Sequence, residues 1–231
     1  MVKNFENFCT ELLRCGFSLG GGNAKGIFAI IDYDWQAVLS DDNPVRWHTG
    51  DPETDPWEWR MRVLEERDDV AYAKVFFGTS GYITKEWYSY FISARRRGTD
   101  FTAAYENGEI SHTAKTVYDI VSGHGAAALH EIKLLGGFAK EDKSRFDKAI
   151  TELQMKMFIT MCGRVSRKSH TGEEYGWKAT VFTTPESFFG EEFIAEALKI
   201  PAKEAEEKIR EQVLKLNPSA EERKIKKFIY G

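Results

Sequence analysis

The chain has 231 residues, 42% apolar and 29% charged, with a net charge of −4. That composition belongs to a globular protein of one or two domains and excludes a disordered or collagen-like chain. No stretch approaches the ~20 apolar residues of a membrane helix, no secretory leader is visible, and three cysteines without a CxxC pair argue against a disulfide framework. The expectation is a cytoplasmic protein without membrane contact.

In chain order, residues 4–15 read as a short helix with Phe5, Phe8, Leu12 and Leu13 on one side. A glycine turn, Gly20–Gly22, leads to an expected strand at Ile27–Ile31. Residues 40–56 hold three of the six prolines and read as a long turn-rich connection. Asp55-Pro56 then signals a helix start, with Asp55 as its cap and Pro56 in the first turn. Ala71–Phe77 and Gly81–Thr84 suggest a hairpin, followed by a helix from Thr84 to about Arg96.

Charge is unevenly spread: residues 1–111 carry −6, residues 112–183 carry +3, and residues 184–231 carry −1. The basic third is also the clearest in pattern. A helix is expected over 113–122, a second over Ala126–Leu135 ending at Gly136–Gly137, and a third from about Glu141 to Met157. Phe146, Ile150, Leu153 and Met157 form the apolar stripe of the third helix. Two strands, Phe158–Cys162 and Trp177–Thr183, flank a polar tip.

Three helices followed by a polar-tipped hairpin predict a winged helix-turn-helix. The expected fold is therefore α+β, in three segments. These are an acidic, aromatic-rich region at 1–110, the winged helix-turn-helix at 111–185, and C-terminal helices at 186–231. Thr184-Pro185, Pro201 and Ser219 mark three later helix starts, with Ser219-x-x-Glu222 as a capping box. The stripe Ile200, Ala205, Ile209, Val213 and Leu216 suits packing on the winged helix or on the partner protomer of a homodimer.

Double-stranded DNA is the partner this layout implies. A third helix ~25 Å long fits a major groove. Opposite its apolar stripe it carries Ser144, Lys148 and Thr151, flanked by Lys140, Lys143 and Arg145, which can donate to phosphates and base edges. The hairpin adds Arg164, Arg167, Lys168 and His170 as backbone contacts. A protein-interaction module is the competing reading, because Asp142, Asp147, Glu173 and Glu174 interrupt the basic face.

A second candidate site lies in the acidic third. Trp47, Trp57 and Trp59 beside Asp55 and Arg60 suggest a pocket able to stack a base. Other motifs fail on their spacing. Lys25 is followed by Gly26 rather than Ser or Thr, which rules out a Walker A loop. Gly78-Thr79-Ser80-Gly81-Tyr82 lacks the second glycine of a nucleophile elbow. No histidine or cysteine spacing suits a metal, and no cofactor is expected.

The strings WHTGDPETDPWEWR (47–60), AYAKVFFGTSGYITKEWYSYF (71–91), ELQMKMFI (152–159) and YGWKATVFTTPESFFG (175–190) resemble the AlkZ-related family. That family comprises bacterial winged-helix relatives of the AlkZ-type DNA glycosylases. The resemblance implies a winged-helix, DNA-binding protein, with a role in DNA repair in view. The glycosylases hydrolyse with a Gln-x-Gln or Gln-x-Asp pair. Here Gln36, Gln154 and Gln212 are followed two residues on by Val38, Lys156 and Leu214. The expectation is thus binding without a recognisable catalytic motif. The alternative is a base-excision enzyme with a divergent site, in which Asp55 serves as the acid.

Overall fold

A computed structural model describes residues 2–32, 43–168 and 173–231. It is an α+β structure whose six-stranded antiparallel sheet runs in the order Phe17–Leu19, Thr79–Thr84, Val70–Phe76, Thr160–Lys168, Glu174–Thr183, Ala126–Ala128. Helix α1 (Phe5–Cys15) starts where Asn4 accepts from the Asn7 amide at 2.9 Å, and Gly16 ends it at φ 89°. Strand β1 (Phe17–Leu19) follows.

The strand expected at Ile27–Ile31 is not one. The segment runs beside β1, but its amides bond to side chains: Ile27 N–H donates to Asn23 Oδ1 and Ile30 N–H to Ser18 Oγ, each at 2.9 Å. Those local acceptors replace a ladder.

Helix α2 (Pro56–Glu66) begins at Asp55 and Pro56 as the sequence suggests. The hairpin forms from β2 (Val70–Phe76) and β3 (Thr79–Thr84). Phe77 and Gly78, at φ 53° and 69°, make its tight left-handed turn. Then come α3 (Lys85–Arg96) and α4 (Phe101–Glu106), the latter capped by Asp100 and absent from the sequence reading.

The basic third contains α5 (His112–His124), β4 (Ala126–Ala128), α6 (Leu129–Leu135), α7 (Lys143–Met155), β5 (Thr160–Lys168) and β6 (Glu174–Thr183). Ala126–Ala128 was expected as the first turn of a helix. It is extended because it pairs with β6 at Ala126↔Thr183, Ala127↔Phe182 and Ala128↔Val181. Four helices close the chain: α8 (Pro185–Phe189), α9 (Glu191–Ala197), α10 (Ala202–Leu216) and α11 (Glu222–Tyr230). The Ser219–Glu222 box does not form. Ser219 Oγ donates to Asn217 Oδ1 at 2.8 Å, and Glu222 accepts from Arg210.

The sheet divides the core in two. Along β2, Val70 and Tyr72 face a cluster with α1, α2, α5 and α7, while Ala71, Ala73 and Val75 face one with α3, α10 and α11. Alternate residues of an extended strand point to opposite faces. Both faces are covered, which is why VAYAKVF is apolar except at the half-buried Lys74. The join expected near residue 110 does not interrupt packing: β2 pairs with β5 at Tyr72↔Met161, and the buried Gln154 of α7 accepts from the Lys74 amide at 2.9 Å. The apolar stripe of α10 (Ala205, Ile209, Val213) is buried within the same chain.

Candidate nucleic-acid interface and an aromatic pocket

Helix α7 buries Phe146, Ala149, Ile150 and Leu153, which turns the opposite face outward. Lys140, Lys143, Ser144 and Lys148 are exposed there. None of the three lysines has a carboxylate partner among the described residues. Arg145 is held by Asp142 at 2.7 Å. Thr151 is half-buried, and its hydroxyl donates to the Asp147 carbonyl of its own helix at 2.9 Å. Glu141, Asp147 and Glu152 share this surface. Glu152 is engaged elsewhere, accepting from the amide and hydroxyl of Ser111 at the start of α5.

The hairpin differs from expectation at its first cation. Arg164 does not point to open solvent. It lies between Glu58 and Glu65 of α2, at 3.3 and 3.2 Å, so two carboxylates neutralise it. Arg167 and Lys168 pair through their backbones with Tyr175 and Glu174. His170 lies outside the described residues.

The aromatic segment separates into two layers. Asp55 is fully buried and accepts from three backbone amides: His48 at 3.0 Å, Gly50 at 2.9 Å and Trp57 at 2.8 Å. It caps α2 and gathers the 48–50 turn, where His48 takes φ 62°. Both oxygens are occupied, so Asp55 is a structural anchor rather than an available acid. Trp59 is also fully buried, stacked on Phe8 at 5.2 Å, with its indole N–H on the Pro52 carbonyl. Neither residue joins the pocket expected for them.

Trp47, Trp57 and Arg60 do line a cavity of about 430 Å³, together with His48, Lys25, Tyr72, Thr79, Ser80 and the Gly20–Gly22 loop. The Arg60 guanidinium lies 3.3 Å from the Trp57 ring centroid, and its Nε donates to the Trp57 carbonyl at 2.7 Å. His48 meets Trp57 at 4.9 Å. The glycine loop closes the floor because Gly20 donates to the Ser80 carbonyl at 2.9 Å; a Cβ at Gly20 would come within 2.7 Å of that oxygen. His48, Lys25 and the glycine loop are additions to the sequence reading. Their signal, a lysine three residues after a glycine triplet, looked there like a failed phosphate motif.

Among the described residues no three His, Cys, Asp or Glu side chains converge as a metal site, and no helix is long and apolar enough to cross a membrane. Cys9 and Cys15 are buried free thiols, and burial pushes the Cys162 thiol up to about 11.

Fold and surface thus define an α+β protein with a lysine-bearing helix on one side and a cationic aromatic cavity on another. A family model described as AlkZ related matches residues 2–230. The chain belongs to the AlkZ-related family. No similar protein was found among curated proteins, and none among solved structures.

Proposed function

We propose that this protein binds duplex DNA through a winged helix-turn-helix built from α5, β4, α6, α7, β5 and β6. The observation that carries the reading is the order helix–strand–helix–helix–hairpin, with β4 hydrogen-bonded to the returning strand β6. In such a layout the last helix enters the major groove. Here that helix is α7, whose exposed Lys143, Ser144 and Lys148, preceded by Lys140, meet a polyanion. Family membership supports the same reading. Lys168 and Arg167 extend it as backbone contacts, whereas Arg164 is committed to α2.

Three lysine–phosphate contacts give a salt slope of roughly −3 on a double-logarithmic plot. Fluorescence anisotropy with a mixed-sequence duplex of about two helical turns tests this. The expected outcome is binding with that slope, and at least about a tenfold loss in Lys143→Glu/Lys148→Glu. Unchanged affinity in that variant, or no binding at about 50 mM salt, would overturn the reading. Hydrolysis of a glycosidic bond is not part of it, since Asp55 is enclosed and the glutamine pair is absent.

A further inference from the structure

The cavity beside α2 has features that major-groove binding by α7 does not use. Among the described residues its titratable lining groups are Lys25, His48, Arg60 and Tyr72, with no carboxylate. The carboxylate beneath, Asp55, is shielded by three amides. Arg60 engages only its Nε, and its two Nη groups meet no acceptor among the described residues. Lys25 is exposed, its ammonium 5.9 Å from the Phe77 ring centroid and without a hydrogen bond or ion pair among the described residues. Two cations with open donors and the Ser80 hydroxyl suit a phosphate, while the Thr79 hydroxyl donates to the Phe76 carbonyl at 2.8 Å. The wall of Trp47, His48 and Trp57 suits a flat ring, and a guanidinium already stacked on indole presents its second face for further stacking. The volume lies within the ~300–1,000 Å³ of small-ligand sites.

We propose that this cavity binds a nucleotide group, with its phosphate at Lys25 and Arg60 and its base against the Arg60–Trp57 stack and the neighbouring aromatic wall. The group is either a free mononucleotide or the phosphorylated end of a single strand; the chemistry is the same. The α7 surface is separate, so the two sites succeed or fail independently.

Titration calorimetry on the full chain tests the proposal with dAMP, adenosine, inorganic phosphate, and a short single strand with or without a 5′ phosphate. The expected result is saturable binding of dAMP or of the phosphorylated strand. Adenosine and inorganic phosphate should each bind at least about tenfold more weakly, because each lacks half of the recognised group. Tighter binding of the phosphorylated strand identifies a strand end, and equal or tighter binding of dAMP identifies a free nucleotide. Lys25→Glu, at an exposed position, should abolish binding, while Arg60→Lys should weaken it but keep the fold by circular dichroism. Lys148→Glu should leave it within about twofold. Absence of saturable binding by both dAMP and the phosphorylated strand, or binding unchanged in Lys25→Glu, would overturn the proposal.

Discussion

Asp55 organises the aromatic cavity without joining its lining. Its carboxylate holds the 48–50 turn to the first turn of α2, which sets Trp47, His48 and Trp57 around the cavity. Asp55→Ala leaves three amides without their acceptor at a buried position. The expected cost is about 3 kcal/mol, and Asp55→Asn should cost less because one acceptor oxygen remains; urea denaturation measures both. The cap was legible as Asp-Pro. Its burial was not, because sequence cannot show that the 48–50 turn folds back onto the start of α2.

Cys162 is a second residue whose environment decides its chemistry. Burial disfavours its thiolate and raises it from 9.0 to about 11. At pH 8 the thiolate fraction falls roughly a hundredfold below that of an unperturbed thiol, with a matching drop in alkylation rate. The folded value exceeds the unfolded one. Its contribution is therefore whole below about pH 9 and is lost as pH rises towards 11. A pH series of alkylation followed by mass spectrometry reads the shift, and a midpoint near 9 would contradict it.

Among the elements, the strands and helices with strong periodicity were legible, and those made by tertiary partners were not. The apolar stripe of α7 gave the helix and its buried face directly. Three alanines at 126–128 favour a helix on propensity, but β6 offers them a ladder, and pairing wins. Arg95 is another such case. It sits on α3, yet it donates to the carbonyls of Met155 at 2.7 Å, Ile229 at 2.7 Å and Phe228 at 3.0 Å. One guanidinium thereby closes the C-terminal ends of α7 and α11 together. Burial disfavours its charge, and the three carbonyls compensate. Arg95→Met removes all three bonds and should cost about 3 kcal/mol in a denaturant series. A change below about 0.5 kcal/mol would show that water replaces it at these ends.

For the molecule as a whole, the basic third is tied to the rest of the chain at several points. Its hairpin shares the sheet with β2, its Arg164 is gripped by α2, and the closing helices return to the first segment. Gln212 donates to the Cys15 carbonyl and Asn217 to the Ile27 carbonyl, each at 2.8 Å. The whole chain is therefore expected to unfold in one transition, with far-ultraviolet dichroism and tryptophan fluorescence coinciding. Two separated transitions would show that the three segments expected from sequence fold independently. The charge shift near residue 110 suggests such a joint, whereas continuity of a sheet is a long-range property that local charge and glycine content do not encode.

For the proposed DNA binding, the pairing of Arg164 with Glu58 and Glu65 leaves the outer face of α7 as the surface to test. Photo-cross-linking from an aryl azide on Ser144→Cys tests this most directly, since Cys9 and Cys15 are buried and Cys162 is sluggish. Cross-links to a duplex that excess unlabelled duplex removes are expected. The same label at exposed Glu192→Cys on α9 should give few or none. Equal cross-linking from both positions, or none from position 144, would contradict it.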